Sequence, residues 1–251
     1  MTNLHLLQFY ATPEHRCSYL ANQQAKTIFV DPKADLDQSS YSELSELGFR
    51  RSGNHIYRPH CDTCSACISA RVMTAAFHPS KSQKRVINLN NDLEVSSHQP
   101  TFSQESYALY ERYINSRHQD GDMYPASQDQ FETFLVESNQ NTRFIEFRLN
   151  KKLLAISVID YLERGISAIY TFFDPEHQHR SLGKYAVLWL IVQARNEELP
   201  YLYLGYWIRD CQKMSYKIDY LPIQLLIDGE WLVVQKDDLT ALKAENILRR
   251  T

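Results

Sequence analysis

Hydrophobic and polar positions follow two different periods along this chain, which divides it into strand-like and helix-like segments. Residues 27–30 form a short β-rich run that ends at Pro32, because proline fixes φ and removes a backbone donor. Residues 41–47 have helical spacing, and Gly48 suits the position after the last helical turn. Residues 68–72 alternate as a strand does. The first hundred residues are therefore predicted to contain mainly short strands and turns.

The pattern beyond residue 100 is clearer. Thr101 and Gln104 have capping-box spacing ahead of a helix that runs to about Arg117, and Ser127 with Gln130 repeats this signature ahead of a second helix. Three β-rich runs, a long helix and a last strand are predicted at residues 143–149, 153–162, 166–173, 181–198 and 201–204. This order of elements is that of the GNAT acyltransferase fold, an analogy that concerns architecture only.

The fold class expected from these elements is α+β, with a GNAT-like core in which helices flank a mixed sheet. A soft boundary falls near residues 97–100, after the last basic residues of the first half. We therefore expect residues 1–97 to form a strand-rich, basic, cysteine-containing domain. Residues 98–251 are expected to form the GNAT-like aminoacyl-transferase domain.

The charges of this chain are unevenly placed. Its 251 residues carry 27 Lys and Arg against 30 Asp and Glu, a formal net charge of −3. Residues 48–91 hold seven basic residues and one acid, a net charge of +6, so the remainder carries −9. The seven are Arg50, Arg51, Arg58, Arg71, Lys81, Lys84 and Arg85. This segment predicts a polyanionic partner, most simply a nucleic acid, although a solvated cationic face would give the same pattern.

The cysteine spacing indicates a metal or redox site. Three cysteines stand at regular three-residue steps: Cys61, Cys64 and Cys67. Zinc or an iron–sulfur cluster takes four ligands, and the candidates for the fourth are Cys17 first, with His15 and His60 as alternatives. The bacterial ferredoxin run would need a further cysteine three residues on, which this chain lacks, so zinc is favoured over iron–sulfur. Small residues packed in a tight turn are the competing interpretation.

Compartment is inferred from what the chain lacks. The longest apolar stretch, residues 185–192, is shorter than the roughly 20 residues that a membrane span needs. The N-terminus has no signal-peptide pattern, and the five cysteines are an odd number. These features favour thiols or metal ligands in a reducing cytoplasm over a disulfide framework.

Two further segments carry candidate chemistry. Arg180 and Gly183 match the loop that holds a pyrophosphate in acetyl-CoA enzymes of this fold, but Tyr185 replaces a small residue and is expected to obstruct the cofactor. After the last predicted strand, aromatic and cationic residues cluster as the rim of a cleft would require. They are Tyr206, Trp207, Arg209, Lys213 and Lys217. A core strand followed by an ordinary amphipathic helix would also explain them.

Several blocks of residues resemble the bacterial aspartate/glutamate leucyltransferases, which are related to the arginyl-tRNA–protein transferases. The blocks are His15-Arg-Cys-Ser-Tyr-Leu20, Gly48-Phe-Arg-Arg-Ser-Gly53, Tyr57-Arg-Pro-His-Cys-Asp-Thr-Cys-Ser-Ala-Cys67, Ser80-Lys-Ser-Gln-Lys-Arg85, Arg180-Ser-Leu-Gly183, Tyr203-Leu-Gly-Tyr-Trp-Ile208 and Lys213-Met-Ser-Tyr-Lys217. The resemblance runs in order along nearly the whole chain. It implies a GNAT-like core behind a cysteine-bearing region.

The resemblance also implies an activity. Such an enzyme works in the cytoplasm, takes leucine from leucyl-tRNA, and joins it to proteins that begin with Asp or Glu, which marks them for the N-end rule degradation machinery. In the arginyl relatives, cysteines matching Cys17, Cys61, Cys64 and Cys67 are implicated in metal or iron–sulfur binding. Leu20 stands where those relatives carry another cysteine, so their ligand set does not transfer directly.

Residue roles follow as hypotheses. Tyr206, Asp174 or Asp210 would accept the proton of the attacking amine. Contacts to the tRNA end are assigned to Arg180, Tyr206, Arg209, Lys213 and Lys217. The tRNA body or the acidic substrate is assigned to Arg50, Arg51, Arg58, Lys81, Lys84 and Arg85. An aminoacyl ester is already activated, so no cofactor is required for transfer, and the sequence contains no Walker loop.

Three alternatives remain. The donor could be arginyl-tRNA, the enzyme could be a CoA-dependent GNAT acetyltransferase, or the chain could be a metal-containing RNA-binding module without catalysis. The arginyl donor keeps the chemistry and changes only the amino acid. Tight acetyl-CoA binding would support the second alternative. The third would bind tRNA whether or not it is charged.

Overall fold

The computed structural model describes residues 4–121, 123–137 and 141–238. The α-helices of this part are α1 (Gln38–Glu46), α2 (Lys81–Leu89), α3 (Gln104–Arg117), α4 (Gln128–Phe131), α5 (Leu182–Asn196) and α6 (Gln212–Ser215). Its strands are β1 (Phe9–Ala11), β2 (His15–Arg16), β3 (Gln24–Ala25), β4 (Thr27–Val30), β5 (Arg50–Ser52), β6 (His55–Pro59), β7 (Ile68–Met73), β8 (Glu94–His98), β9 (Thr142–Leu149), β10 (Lys152–Leu162), β11 (Gly165–Phe173), β12 (Tyr201–Trp207), β13 (Ile223–Ile227) and β14 (Glu230–Val234).

The centre of the molecule is a mixed eight-stranded sheet flanked by helices. Its strand order is β14-β13-β7-β12-β11-β10-β9-β8, and a separate four-stranded sheet has the order β1-β4-β6-β5. Alternate residues along the strands of the large sheet belong to two different hydrophobic cores, because successive side chains of a strand point to opposite faces. Ile145 packs with α5 residues on one face, and Phe144 packs with α3 residues on the other. The α+β prediction with a mixed sheet and flanking helices is confirmed.

Most predicted elements of the second half are present with small shifts in their ends. The three β-rich runs correspond to β9, β10 and β11, and the long helix is α5. The cap of α3 is a correction: Ser103 is the N-cap, and its hydroxyl accepts from the backbone N–H of Ser106. Thr101 lies two residues outside the cap. Ser127 caps α4 as predicted, accepting from the N–H of Gln130.

The predicted division at residue 97 falls within the large sheet. β7 and β8 precede it in sequence, yet β7 pairs with β12 and β13, and β8 pairs with β9. The ranges 1–97 and 98–251 therefore share one sheet, and their separation into two domains stays a prediction. Within the described ranges, no helix combines the length and apolar character that crossing a membrane requires.

The candidate site lies at the end of β12, past the point where its pairing with β11 stops. β11 and β12 run parallel and pair at three positions, from Gly165 with Tyr201 to Ser167 with Tyr203. Beyond these pairs β12 bulges against β7 between Tyr203 and Gly205. Gly205 has φ of +77°, a conformation that side chains with a Cβ rarely adopt. Tyr206, directly after Gly205, contacts Tyr57 on β6 of the four-stranded sheet.

Candidate active site

A buried arginine stands where the two sheets meet. Arg50 on β5 lies opposite Tyr57 on β6 and is 5% exposed. Its Nη1 donates to the carbonyl oxygens of Ser45 (3.1 Å) and Phe49 (2.7 Å) at the end of α1. Its Nε and Nη2 are buried and have no hydrogen-bond partner among the described residues. One edge of the guanidinium therefore holds the fold, and the other edge is unused.

In the adjacent Arg51, the same guanidinium atoms have hydrogen-bond partners. Its Nε and Nη2 donate to the carboxylate oxygens of Asp160 at 2.6 Å and 2.8 Å. Tyr41 and Thr142 also donate to this carboxylate, at 2.8 Å and 2.6 Å. Burial opposes the charge of Arg51, but Asp160 outweighs it and raises the pKa of Arg51. Arg51 is thus fully committed to a buried ion pair that ties β5 to β10.

Lys217 is a second buried cation near Arg50. It lies in a 3₁₀ turn after α6, is 5% exposed, and donates from Nζ to the carbonyl oxygen of Tyr206 at 2.5 Å. Burial, together with the positive charge of Arg50, lowers its pKa to about 7, against the opposing effect of the Cys211 and Cys67 thiols. Neither Arg50 nor Lys217 forms an ion pair with an acid within the described part of the chain.

Two tyrosines, Tyr57 and Tyr206, lie beside this cationic centre. The hydroxyl of Tyr206 donates to the carbonyl oxygens of Gly48 (2.9 Å) and Tyr57 (3.3 Å), and the rings of Tyr57 and Tyr206 meet edge to face. Burial raises the pKa of both hydroxyls, with Arg50 opposing the shift. Both tyrosines are therefore neutral near pH 7, and Tyr206 acts as a hydrogen-bond donor to the backbone.

The predicted metal cysteines lie beside the same centre. Cys61, Cys64 and Cys67 separate a cavity of about 350 Å³ from one of about 200 Å³, and Cys17 lines the smaller cavity. Burial and the neighbouring cysteines raise the pKa of Cys67 to about 12. Among the residues that the structure describes, no three His, Cys, Asp or Glu side chains are arranged to hold a metal ion. All four thiols line the smaller cavity, but zinc or iron–sulfur binding stays a prediction.

The two alternative nitrogen ligands line different cavities. His15 lines the smaller cavity, and His60 lines the larger one. Lys26, between β3 and β4, lies 3.3 Å from the carboxylate of Asp62 in the cysteine loop. The cysteine loop is therefore anchored to the four-stranded sheet, with one face toward each cavity.

The two carboxylates predicted as proton acceptors have other partners. Asp174 directly follows β11, is 1% exposed, and lies 3.0 Å from Lys152 and 3.2 Å from His177. Burial works against ionisation of Asp174, but Lys152 and the N–H of Glu176 outweigh it and lower its pKa. Asp210 is exposed and pairs with Arg209, which lowers its pKa. Both carboxylates are thus weak bases.

The cations predicted at the cleft rim are spread over several places. Lys213 on α6 pairs with Asp120 beyond α3 at 2.8 Å, both side chains being exposed. Arg180 grips the carboxylate of Asp92 with two nitrogens, at 2.8 Å and 2.9 Å. Only Lys217 of this group lies in the buried centre with Arg50. Arg180 therefore has an intramolecular carboxylate where the sequence predicts a tRNA contact.

The basic segment 48–91 is only partly a surface feature. Arg50 and Arg51 are buried, and so is Arg71, which stacks between Tyr201 and Trp231 at 3.6 Å and 4.1 Å from their ring centroids. The exposed cations of the segment lie on α2: Lys81, Lys84 and Arg85. Arg58 is half-buried over the ring of Phe49 and lines the larger cavity. A polyanion would therefore meet α2 and Arg58 first.

In the loop that was compared with acetyl-CoA sites, the ring of Tyr185 does not lie where the sequence predicts. Tyr185 is buried on α5, with its ring against Phe147 at 5.5 Å between centroids. Its ring therefore points into the core and does not obstruct a cofactor. A Cβ on Gly183 would lie 3.1 Å from the ring of Phe173, so this glycine allows close packing of α5 on β11.

Sequence reasoning gave no role to Cys211, placed Tyr57 and Gly205 only as neighbours of the basic and aromatic residues, and did not predict that Tyr57 contacts Tyr206. Each stands within or beside a block that the sequence singled out, but none carries a pattern of its own. Gly205, one of seven glycines, directly follows a β-rich run, which is a signal for a bulge. The partnership of Tyr57 with Tyr206 depends on residues 149 positions apart.

Comparisons with known proteins give a consistent result. The family described as arginine-tRNA-protein transferase matches residues 15–85 by its N-terminal part and residues 105–227 by its C-terminal part. The aspartate/glutamate leucyltransferase of Hahella chejuensis is 56% identical over 93% of this chain and 100% of that protein. That of Pseudomonas fluorescens (strain Pf0-1) is 53% identical with the same coverage.

Similarity to solved structures is weaker. The C-terminal domain of a lysylphosphatidylglycerol synthetase from Agrobacterium fabrum is 12% identical, with a TM-score of 0.46. The match covers 82% of this chain and 68% of the chain in that structure. At this identity and TM-score, the similarity does not indicate a shared fold or a shared function.

Proposed function

This chain belongs to the aspartate/glutamate leucyltransferases, and from that premise we propose that it transfers leucine from leucyl-tRNA to the N-terminal amine of proteins that begin with Asp or Glu. The observation that carries the proposal is the extent of the similarity. Identity of 56% covers 93% of this chain and the whole of a relative named for this activity. The buried cationic centre of Arg50 and Lys217 is consistent with an acidic substrate.

The reaction is an aminolysis of an ester. The neutral α-amine of the acceptor attacks the leucyl carbonyl, a C–N bond forms, and the C–O bond to the terminal ribose of the tRNA breaks. The proton lost by nitrogen ends on the ribose oxygen. An α-amine has an ordinary pKa of about 7.7–8.0, so an appreciable fraction is neutral near pH 7.5. The protein's main contribution is then to hold amine and ester together.

The proton acceptor is assigned by elimination among the candidates. Asp174 and Asp210 are held ionised by basic partners, which makes them weak bases. The hydroxyl of Tyr206 already donates to two carbonyl oxygens. We therefore give Tyr206 a positioning role at the end of β12, and propose direct proton transfer from the amine to the leaving oxygen, or through water.

We assign the leucyl ester to the region between β11 and β12 beyond their last pair, Ser167 with Tyr203. It is consistent with a GNAT-like core, in which the end of β12 lies beside the reacting groups. Arg209 and Lys213 follow β12 and would meet the tRNA end, while Arg58 and the α2 cations would meet the tRNA body. Arg180 would do so only by giving up Asp92. Residues 1–97 would then supply Arg50 and most tRNA-body contacts, and residues 98–251 the remainder of the transfer centre.

The cysteine cavity is proposed to be structural. A metal there would fix the loop of Cys61, Cys64 and Cys67 against Cys17, and no step of the transfer needs it. Because charged tRNA is a cytoplasmic substrate, we place the enzyme in the cytoplasm. Its leucylated products would pass to the N-end rule degradation machinery.

A transfer assay tests the proposal. The purified protein is mixed with radiolabelled leucyl-tRNA or arginyl-tRNA and with peptides that begin with Asp, Glu or Ala. Leucine on the Asp and Glu peptides alone is the expected result. Arginine on the same peptides would change the donor, and acetylation from acetyl-CoA would indicate the GNAT acetyltransferase. Binding of tRNA without any transfer would indicate the non-catalytic RNA-binding module.

A further inference from the structure

Arg50 presents an unused carboxylate fork. Its Nε and Nη2 have no hydrogen-bond partner among the described residues, although both atoms are buried. The same two atoms of Arg51, one residue along β5, hold the carboxylate of Asp160. This edge of a guanidinium binds a carboxylate through two parallel hydrogen bonds. The protein thus shows, on the neighbouring residue, the ligand that the fork of Arg50 fits.

The charges around this fork call for an anion. Lys217 is buried within electrostatic reach of Arg50, whose positive charge adds to burial in lowering the pKa of Lys217. No described Asp or Glu forms an ion pair with either side chain. Two buried cations without a counter-ion are unfavourable, and a bound carboxylate would offset that cost. The nearby ring of Tyr203, 5.3 Å from Cζ of Arg50, compensates only in part.

We propose that Arg50 and Lys217 form the specificity site that binds the side-chain carboxylate of the acceptor's N-terminal Asp or Glu. Arg50 supplies two hydrogen bonds from Nε and Nη2, and Lys217 supplies a second positive charge. This assignment rests on the proposed function, because it concerns the acceptor of that reaction. It gives Arg51, which the sequence grouped with Arg50, no part in binding.

The surroundings favour a peptide carboxylate over an RNA phosphate. Tyr57 and Tyr206 line the cavity of about 200 Å³ and also lie close enough to Arg50 for its charge to affect their pKa values. Arg50 and Lys217 do not line this cavity themselves, so a carboxylate on one or two methylenes would reach the fork when the Tyr57 and Tyr206 side chains move apart. A phosphate within an RNA chain would bring both flanking riboses with it. The α2 cations on the surface suit phosphate better.

The same geometry explains why neutral amides would be rejected. An Asn or Gln side chain offers one oxygen acceptor, and its NH₂ group would face a guanidinium N–H. A buried charged donor would then lose its partner, which costs about 1.5–3 kcal/mol, or roughly 10- to 150-fold in affinity. Discrimination between acid and amide is therefore the property that reports on this site.

The experiment compares three variants with the full-length wild-type protein. Arg50→Lys keeps a positive charge near the carbonyls of Ser45 and Phe49 but removes the fork. Lys217→Met removes the second charge with little change in volume. Arg112→Gln on the exposed surface of α3 is the matched control for loss of an arginine. Melting temperatures establish that each variant is folded.

Two readouts are taken for each protein. Transfer kinetics are measured with leucyl-tRNA and with peptides that begin with Asp, Glu or Asn but are otherwise identical. Calorimetry measures binding of the Asp and Asn peptides without tRNA, which does not depend on turnover. We expect Arg50→Lys and Lys217→Met to lower kcat/KM for the Asp peptide by about 10- to 150-fold, to leave the KM for leucyl-tRNA unchanged, and to reduce the Asp-over-Asn binding preference.

The results that would contradict this proposal differ from those that would contradict the proposed function. If the folded variants keep the wild-type preference for Asp over Asn, the assignment of Arg50 and Lys217 is wrong. If they raise the KM for leucyl-tRNA and leave peptide binding unchanged, the pair binds RNA phosphate instead. If the wild-type protein transfers no leucine at all, the proposed function fails. Calorimetry then still decides whether Arg50 and Lys217 bind the Asp peptide.

Discussion

The ammonium group of Lys217 donates to the carbonyl oxygen of Tyr206 at 2.5 Å, inside the protein and without an acidic partner among the described residues. This contact ties the 3₁₀ turn after α6 to the last residues of β12, directly beyond the Gly205 bulge. It places a positive charge where burial makes that charge costly. The cost has consequences for both stability and pH dependence.

Lys217→Met should remove that cost in a pH-dependent manner. Burial, with Arg50, lowers the pKa of Lys217 to about 7, below its ordinary value of 10.5, while Cys211 and Cys67 oppose the shift. The unfolded chain therefore binds the proton more tightly, and the wild type gains stability as pH rises from about 7 toward 10.5. The advantage of the variant in melting temperature should be largest at pH 6 to 7 and should shrink by pH 9.

This prediction is checked by thermal unfolding of both proteins at pH 6, 7, 8 and 9, and the difference between them isolates Lys217 from other titrating groups. A difference that does not change with pH would mean that Lys217 has an ordinary pKa. Binding of the Asp peptide by the wild type should weaken over the same range, because the neutral amine no longer attracts a carboxylate.

Arg51→Gln should destabilise the fold. The change leaves Asp160 buried with only neutral donors, Tyr41 and Thr142. Breaking one side of a buried ion pair costs about 3–5 kcal/mol, and urea unfolding monitored by circular dichroism measures it. The double variant Arg51→Leu with Asp160→Leu should recover much of the loss. Unchanged stability with a raised KM for the Asp peptide would instead make Arg51 a binding residue.

Gly205→Ala should affect both the backbone and the site. A residue with a Cβ at φ of +77° costs about 1–2 kcal/mol, and this Cβ would lie 3.7 Å from Nζ of Lys217. We expect a lower melting temperature and weaker binding of the Asp peptide by calorimetry. Gly229→Ala is the matched variant, since Gly229 has φ of +84° and its Cβ would contact nothing within 4 Å. Equal effects on peptide binding would contradict the role of the bulge.

The triple variant Lys81→Gln, Lys84→Gln and Arg85→Gln should weaken tRNA binding alone. All three side chains are exposed on α2, outside the buried centre. The KM for leucyl-tRNA should rise, and the slope of log affinity against log salt should fall by roughly 2, since each phosphate contact releases counterions. Peptide binding by calorimetry should not change. An unaltered salt slope would place the tRNA body on another surface.

Cys64→Ser tests the structural metal. If a metal fixes the cysteine loop, the variant should lose bound zinc or iron in elemental analysis and should melt at a lower temperature. Ser18→Ala, in the wall of the same cavity, serves as the matched control. A Cys64→Ser protein that keeps full stability and loses only activity would exclude a purely structural role for these thiols.

Local elements were predictable where periodicity was strong. The alternation in β9, β10 and β11 and the helical spacing of α3 and α5 are properties of adjacent residues, so the sequence determined them. The cap of α3 was wrong by two residues, because both Thr101 and Ser103 have capping chemistry and only packing selects between them. The β13–β14 hairpin, which completes one edge of the large sheet, had no place in the predicted order.

The chemistry of the site was predictable by type but not by partner. The cysteine spacing, the cationic segment and the blocks of residues that carry the family resemblance are all readable from the chain. The pairing of Arg180 with Asp92, and the burial of Arg71 between two aromatic rings, required residues 88 and more positions apart to meet. Pattern reasoning therefore overestimated how much of the basic segment faces solvent.

Arg50 and Arg51 mark the boundary between the two kinds of information. The sequence determined that two arginines stand together on a strand, and strand geometry sends their side chains to opposite faces. Only the tertiary structure decided that Arg51 meets Asp160 while the fork of Arg50 meets no acid among the described residues. The reason is physical: whether a buried charge is paired depends on groups brought together by folding, and Asp160 is 109 residues from Arg51 in the chain.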